Sequence, residues 1–207
     1  MKRLGIVLVG IVLLSGCAGR ESVREVSQST SSETETVISS SSETEVSYEE
    51  IDLEPEAEIV KVTAPNGEEF QYSLLPKWRE FPNFEEINPA AAFFITNGLV
   101  GMAGVLEAKA DYADFNSYQQ AMLTYCQTMA EHLEQSTEPV VINGMTGIEL
   151  RMEASMNGVN AKYIVYVLEA PTNYVQLMTW TTSSLFDKYQ EEMREIAETF
   201  KVADAGV

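Results

Sequence analysis

Residues 145–182 read MTGIELRMEASM, NG, VNAKYIVYVLE, APTN, YVQLMTWTT, and this stretch decides the architecture. From Met145 to Ser155, Glu149, Arg151 and Glu153 alternate with Ile148, Leu150 and Met152, the period-two pattern of a strand with one covered face. Asn157-Gly158 then accommodates positive φ in a two-residue hairpin turn. A second run, Val159 to Glu169, returns the chain, and a turn at Pro171 to Asn173 leads into a third, Tyr174 to Thr182.

Working outward, the same device recurs twice. Asn97-Gly98 separates Ala91 to Thr96 from Leu99 to Ala108, and Asn66-Gly67 separates Ile59 to Thr63 from Phe70 to Leu75. Strands joined by turns this short pair antiparallel. The uncharged run Ala90 to Leu106 is too short for a membrane span, and Asn97 with glycines at 98, 101 and 104 marks it as a hairpin. Gly101 and Gly104 inside its second strand predict a bulge or a close backbone approach.

Two helical patterns interrupt the strands. Over about Phe115 to Glu134, Phe115, Tyr118, Met122, Cys126, Met129 and Leu133 recur in steps of three and four, and over about Leu185 to Thr199 so do Leu185, Tyr189, Met193, Ile196 and Phe200. Ser184 followed by Asp187 resembles a capping pair at the second helix start. Each helix has one apolar side to bury. The fold class expected is therefore α+β, a mainly antiparallel β-sheet with helices packed on it.

The amino terminus belongs to a different regime. Lys2 and Arg3 precede an apolar run from Leu4 to Leu14, the layout of a secretory signal. Leu14-Ser15-Gly16-Cys17 resembles the lipobox of bacterial lipoproteins, which implies cleavage before Cys17 and diacylglycerol on its sulfur. Two acyl chains at ~0.8 kcal/mol per buried methylene make a stable anchor. Residues 18–58 are then a disordered tether: Ser, Thr, Glu and Val dominate, too little apolar surface to offset the entropy of ordering. Ser31-Ser32-Glu33-Thr34-Glu35 recurs in it as Ser41-Ser42-Glu43-Thr44-Glu45, and a flexible coil of this length spans about 35 Å. The expected organisation is a signal peptide over 1–17, the tether over 18–58 and one α+β domain over 59–207.

The whole chain carries a formal charge of -19. Tether and domain are both acidic, which disfavours nucleic acid and docking to anionic lipid through a basic patch. Once lipid consumes Cys17, Cys126 stands alone, so no intrachain disulfide forms.

Chemistry-bearing residues are sparse. Cys126 and the single histidine, His132, lie six positions apart, about 240° around a helix, and form no dyad there. They read as a core thiol and a helix-surface residue. No His/Cys cluster offers a zinc site, and Asp111, Asp114 and Asn116 lack the glycine and distal glutamate of a calcium-binding loop, so a metal is not expected and Asp114 or Asn116 reads as a helix cap. No GxGxxG, P-loop or GxSxG occurs, and no cofactor or catalytic residue is assigned. Glu149, Arg151 and Glu153 share a strand face near Lys162 and read as a solvated ion network. Two aromatic groups are candidate ligand contacts or core closures: Trp78, Phe81 and Phe84 in a proline-rich loop, and Tyr174, Met178 and Trp180 on one strand face.

The order of elements resembles the PsbP-like or Mog-like superfamily. The residues that carry the resemblance are Leu75-Pro76-Lys77-Trp78 after the opening strand, Val140-Val141-Ile142-Asn143-Gly144-Met145-Thr146-Gly147, and a final helix ending in Glu198-Thr199-Phe200. The resemblance covers most of residues 65 to 203 and implies an α/β/α sandwich whose roles are chiefly binding and assembly. It transfers no functional residue. The function expected is a membrane-anchored lipoprotein on the extracytoplasmic face, a non-enzymatic binding or assembly module with an envelope protein as partner. A small-ligand receptor at the Trp78 or Trp180 region is the second reading and an envelope hydrolase using Glu149 and Glu153 the third.

Overall fold

The computed structural model describes residues 57–136, 138–156 and 158–203. The expectations for the leader, for Cys17, for the tether up to residue 56 and for Asn157 lie outside them. In chain order the elements are β1 (Glu58–Thr63), β2 (Glu69–Leu74), β3 (Arg79–Glu80), α1 (Phe84–Ile87), β4 (Ala91–Thr96), β5 (Gly101–Ala108), α2 (Phe115–Met129), β6 (His132–Gln135), β7 (Val140–Ile142), β8 (Met145–Met156), β9 (Val159–Glu169), β10 (Asn173–Thr182), α3 (Phe186–Glu198) and β11 (Lys201–Val202). No helix among the described residues is long and apolar enough to cross a membrane.

The three hairpin strands quoted first form the middle of an eight-stranded sheet with the order β3-β4-β5-β10-β9-β8-β6, and β7 also pairs β8. All its pairings are antiparallel. Alternation sends successive side chains to opposite faces. Ile164, Tyr166 and Leu168 with Val175 and Leu177 pack on one face, and Tyr163, Val165 and Val167 with Tyr174, Met178 and Trp180 on the other. Both faces of β9 and β10 are covered, so these strands are nearly continuous apolar runs.

The first face is covered by α3, through Phe186, Met193, Ile196 and Ala197, and by a separate three-stranded sheet of order β1-β2-β11. Phe200, at the end of α3, stacks on Phe70 of β2 and on Phe93 of β4, ring centroids 5.3 and 5.7 Å apart. Burial of one such phenylalanine is worth about 1.5–3 kcal/mol. α2 and Phe84 of α1 cover the second face. The layered α+β arrangement expected from the alternation and the helix spacing is the one formed.

Several local expectations need correction. The first helix stops at Met129 instead of Glu134, and His132 to Gln135 form edge strand β6, with His132 opposite Glu153 of β8. Met129 and Leu133 are four apart, so helical spacing runs on past a break at Ala130, which has extended backbone. His132 is thus an exposed strand residue, not a helix-surface one. Ser184 and Asp187 do not form a cap: Ser183–Leu185 make a 3-10 turn, and Leu185 stands at the helix start without a side-chain hydrogen bond. Asp114 does cap α2, accepting from the Ser117 backbone N–H at 2.7 Å.

What approaches Gly101 and Gly104 is not the expected backbone but, in both cases, an aromatic side chain. A Cβ on Gly101 would lie 2.4 Å from the Trp180 indole, and one on Gly104 2.2 Å from the Phe93 ring. Each ring belongs to the cross-strand partner of its glycine.

Candidate functional site

The five aromatic candidates do not gather around one space. Trp78 lies in the core beneath α3, whereas Tyr174 and Trp180 lie on the opposite face with Phe81 and Phe84 packed against them. Both indoles are 6% exposed. On the second face Phe81 stacks on Phe94 at 4.8 Å, and Phe94 meets Trp180 edge-on at 5.0 Å. Tyr174 stacks on Tyr118 at 4.7 Å, with Tyr112 and Phe115 against it and the Lys109 ammonium 5.5 Å above its ring. On that face the rings pack edge-on or stacked against one another and against Tyr112, Phe115 and Tyr118.

The charged group on β8 behaves differently. Arg151 Nε donates to Glu149 Oε1 at 2.8 Å, and Ser136 Oγ accepts from the Glu149 backbone N–H at 3.1 Å. The Glu149 side chain is 14% exposed, Arg151 43%. Across the ladder Glu149 faces Tyr166, whose phenol is held far above its ordinary value first by burial and then by the Glu149 charge. The third carboxylate is placed apart: Glu153 accepts from Ser183 Oγ at 3.1 Å. Lys162 stands opposite Glu153 in register, as a regular hairpin requires, and its ammonium lies 5.3 Å over the Phe186 ring. Four residues of extended strand put the Glu149 and Glu153 Cα atoms roughly 13 Å apart.

Glu149 and Arg151 form the back of a cleft of about 330 Å³, whose other walls are Glu134 and Gln135 of β6, Ser136, Glu138, Pro139 and Val140 of β7. The cleft exists because β6 and β7 both pair with β8 but out of phase. Gln135 is opposite Leu150 and Val140 opposite Gly147, so the β6–β7 side carries two residues more than β8 over that interval. At the lip of the cleft Glu134 Oε1 lies 3.0 Å from His132 Nε2, an interaction that keeps the Glu134 carboxyl below its usual range.

The sequence reading found Glu149 and Arg151 but missed Glu134, which a helix running to that residue had hidden, and Ser136 and Glu138 just beyond it. Cys126 is buried under α2, where desolvation raises its thiol to about 11. It is far from a reactive thiolate at neutral pH. Among the described residues no group of three or more His, Cys, Asp or Glu side chains is placed to hold a metal ion.

No family model matches the sequence, and no curated protein matches it. Solved structures do. The chain is similar to LpqN of Mycobacterium tuberculosis, described as involved in cell envelope biogenesis, with 13% identity and a TM-score of 0.53 over 72% of this chain and 92% of that one. It also matches the cyanobacterial PsbP, CyanoP, of Synechocystis sp. PCC 6803, at 9% identity and a TM-score of 0.46 over 70% of this chain and 92% of that one. The Ran-binding protein Mog1p of Saccharomyces cerevisiae matches at 11% identity and 0.46 over 72% and 97%. At such identities the likeness to LpqN is one of fold alone.

Proposed function

We propose that this chain is a lipid-anchored protein of the extracytoplasmic face of the cell membrane, and that its folded domain is a non-enzymatic binding or assembly module of the envelope. The observation that carries the binding reading is the cleft at the sheet edge. It is open, charged and bordered by a fixed Glu149–Arg151 pair. Enclosed small-molecule sites are mostly apolar and surround their ligand, whereas a polar, half-open rim suits the surface of another protein. The described fold of LpqN, a protein of cell envelope biogenesis, is compatible with that setting. Anchoring rests on Leu14-Ser15-Gly16-Cys17.

The test is photo-crosslinking in intact cells from probes placed at Gln135 and Glu138, with a control probe at Gln190 on α3. One protein recovered in stoichiometric amount from the edge probes and not from the control supports the reading. Repeated recovery of nothing, or of the same mixture from all three, refutes it. The anchor is tested separately: the Cys17→Ala chain should leave the membrane fraction, and retention after a high-salt wash overturns the lipid assignment.

A further inference from the structure

The eight-stranded sheet has two ends, and they differ. One is closed by β3, only two residues long. The other is β6, which among the described residues hydrogen-bonds to β8 alone, so its outer row of backbone N–H and C=O groups has no strand beside it. Such a row is a template for another extended chain. Edge strands are commonly protected against self-pairing by charge and irregularity, and both are present here. Glu131, Glu134 and Glu138 are exposed along this edge, and Glu149 lies in the cleft behind it. Against these four carboxylates stand Arg151, already paired to Glu149, and His132. A second copy of this acidic chain is repelled; a strand carrying lysine or arginine is drawn in. The residues that exclude one partner therefore select another.

The two faces of β6 set the pattern that such a strand needs. His132 and Glu134 lie opposite Glu153 and Arg151, on the side where the cleft opens. Leu133 lies opposite Met152 and packs against the core under α2. A strand added to this edge repeats that alternation. Its basic residues meet Glu134 and the cleft, and the residues between them, apolar, extend the surface around Leu133.

Resting on the binding-module reading, we propose that the outer edge of β6, with the cleft behind it, accepts an extended segment of a partner protein as an added strand, with basic and apolar residues alternating. Backbone hydrogen bonds supply affinity, and Glu134 and Glu138 supply the choice of charge. The six-residue edge strand of the three-stranded sheet, β1, carries both Glu58 and Lys61 and lacks this one-sided charge.

The probe is a blocked octapeptide alternating lysine and valine, added to the full chain in neutral-detergent micelles. Calorimetry gives the affinity and mass spectrometry follows amide hydrogen exchange over residues 132–135. The peptide should bind and slow exchange in that segment at least tenfold. A glutamate–valine peptide should not bind, and the chain carrying Glu134→Lys with Glu138→Lys should lose at least tenfold in affinity for the lysine peptide while gaining the glutamate one. A third peptide keeps the lysines but is N-methylated on alternate amides, which removes its strand donors. Equal binding of that peptide, or unchanged exchange over β6, overturns strand addition and leaves plain charge attraction. If crosslinking recovers a partner from the edge while the peptides fail these tests, the proposed mode is wrong and the binding module stands; if crosslinking also recovers none, the reading beneath it has failed.

Discussion

Asn143 sits in the turn between β7 and β8 with φ 46° and, from that left-handed conformation, donates through Nδ2 to the carbonyl oxygens of Glu198 at 2.6 Å and Phe200 at 2.8 Å. One amide thus ties the end of α3, and with it Phe200, to the rim of the large sheet. Three substitutions separate what it does. Asn143→Gly keeps the backbone conformation and loses both hydrogen bonds; Asn143 is exposed, so each is worth the lower part of the usual range, and the loss is about 1–2 kcal/mol. Asn143→Ala loses the same bonds and, unlike the glycine variant, keeps a Cβ at positive φ, which costs about 1–2 kcal/mol relative to glycine. For a domain of this size each kcal/mol moves Tm by roughly 2–4 °C, so the glycine variant should melt ~2–8 °C below the parent and the alanine variant lower again. Asn143→Asp replaces the donor with a carboxylate aimed at two carbonyl oxygens. Those oxygens favour the neutral acid, so the folded-state pKa of the introduced carboxyl rises above the unfolded value of about 3.9. A raised carboxyl pKa makes the charged form a penalty that is absent below the unfolded pKa and grows as pH rises through the folded one. The Tm gap between this variant and the parent should therefore be widest at pH 7 and shrink toward pH 3.5. Circular dichroism melts of all four chains provide the comparison. A glycine variant as stable as the parent, or alanine and glycine variants that melt together, would refute the clamp, and an aspartate gap independent of pH would refute the electrostatic part.

Further outcomes concern other elements. At Gly147 a Cβ would lie 1.9 Å from the Val167 carbonyl oxygen, which belongs to the backbone of a central strand and cannot swing aside; Gly147→Ala should cost about 3 kcal/mol, read as a lower urea midpoint, and a midpoint unchanged from the parent contradicts that packing. Gly101→Ala should cost less, because the obstacle is the Trp180 side chain. The Asp114 carboxyl is held below its usual range by its bonds to the Ser117 hydroxyl and backbone N–H, so its contribution is present above about pH 4 and lost as pH falls through the lowered value. The Tm difference between the parent and Asp114→Ala should accordingly narrow with acid, and a difference that widens instead argues against the cap. In the Cys17→Ala chain, where Cys126 is the one remaining cysteine, burial that lifts the thiol to about 11 should make alkylation at pH 8 at least roughly a hundredfold slower in the folded protein than in denaturant. Immediate labelling of the native chain would show that α2 does not cover that thiol.

What could be read from the sequence, and what could not, divides along the distance over which each interaction is decided. Hairpins were legible because an Asn-Gly turn and two flanking alternations are local, and the strands around 66–67, 97–98 and 157–158 fall within a residue or two of expectation. The separate three-stranded sheet was not, since it depends on Lys201–Val202 returning to pair with Gln71 and Phe70 of β2, a choice made 130 residues away in the chain. The aromatic candidates were ambiguous for a related reason: a tryptophan on a strand face looks the same whether its neighbour across the ladder is a ligand or, as at Gly101, a missing side chain that the indole fills. The candidate site suffered most. β6 has four residues, one of them partly buried, so alternation has almost nothing to act on, and Leu133 at helical spacing from Met129 claimed it for α2. That failure has a physical cause that bears on function. An edge strand with a strong apolar alternation would advertise itself and would also pair with its own copies, whereas β6, with His132, Glu134 and Gln135 around a single leucine, is quiet in sequence because the polar residues that blunt an edge against self-pairing leave no apolar alternation to read.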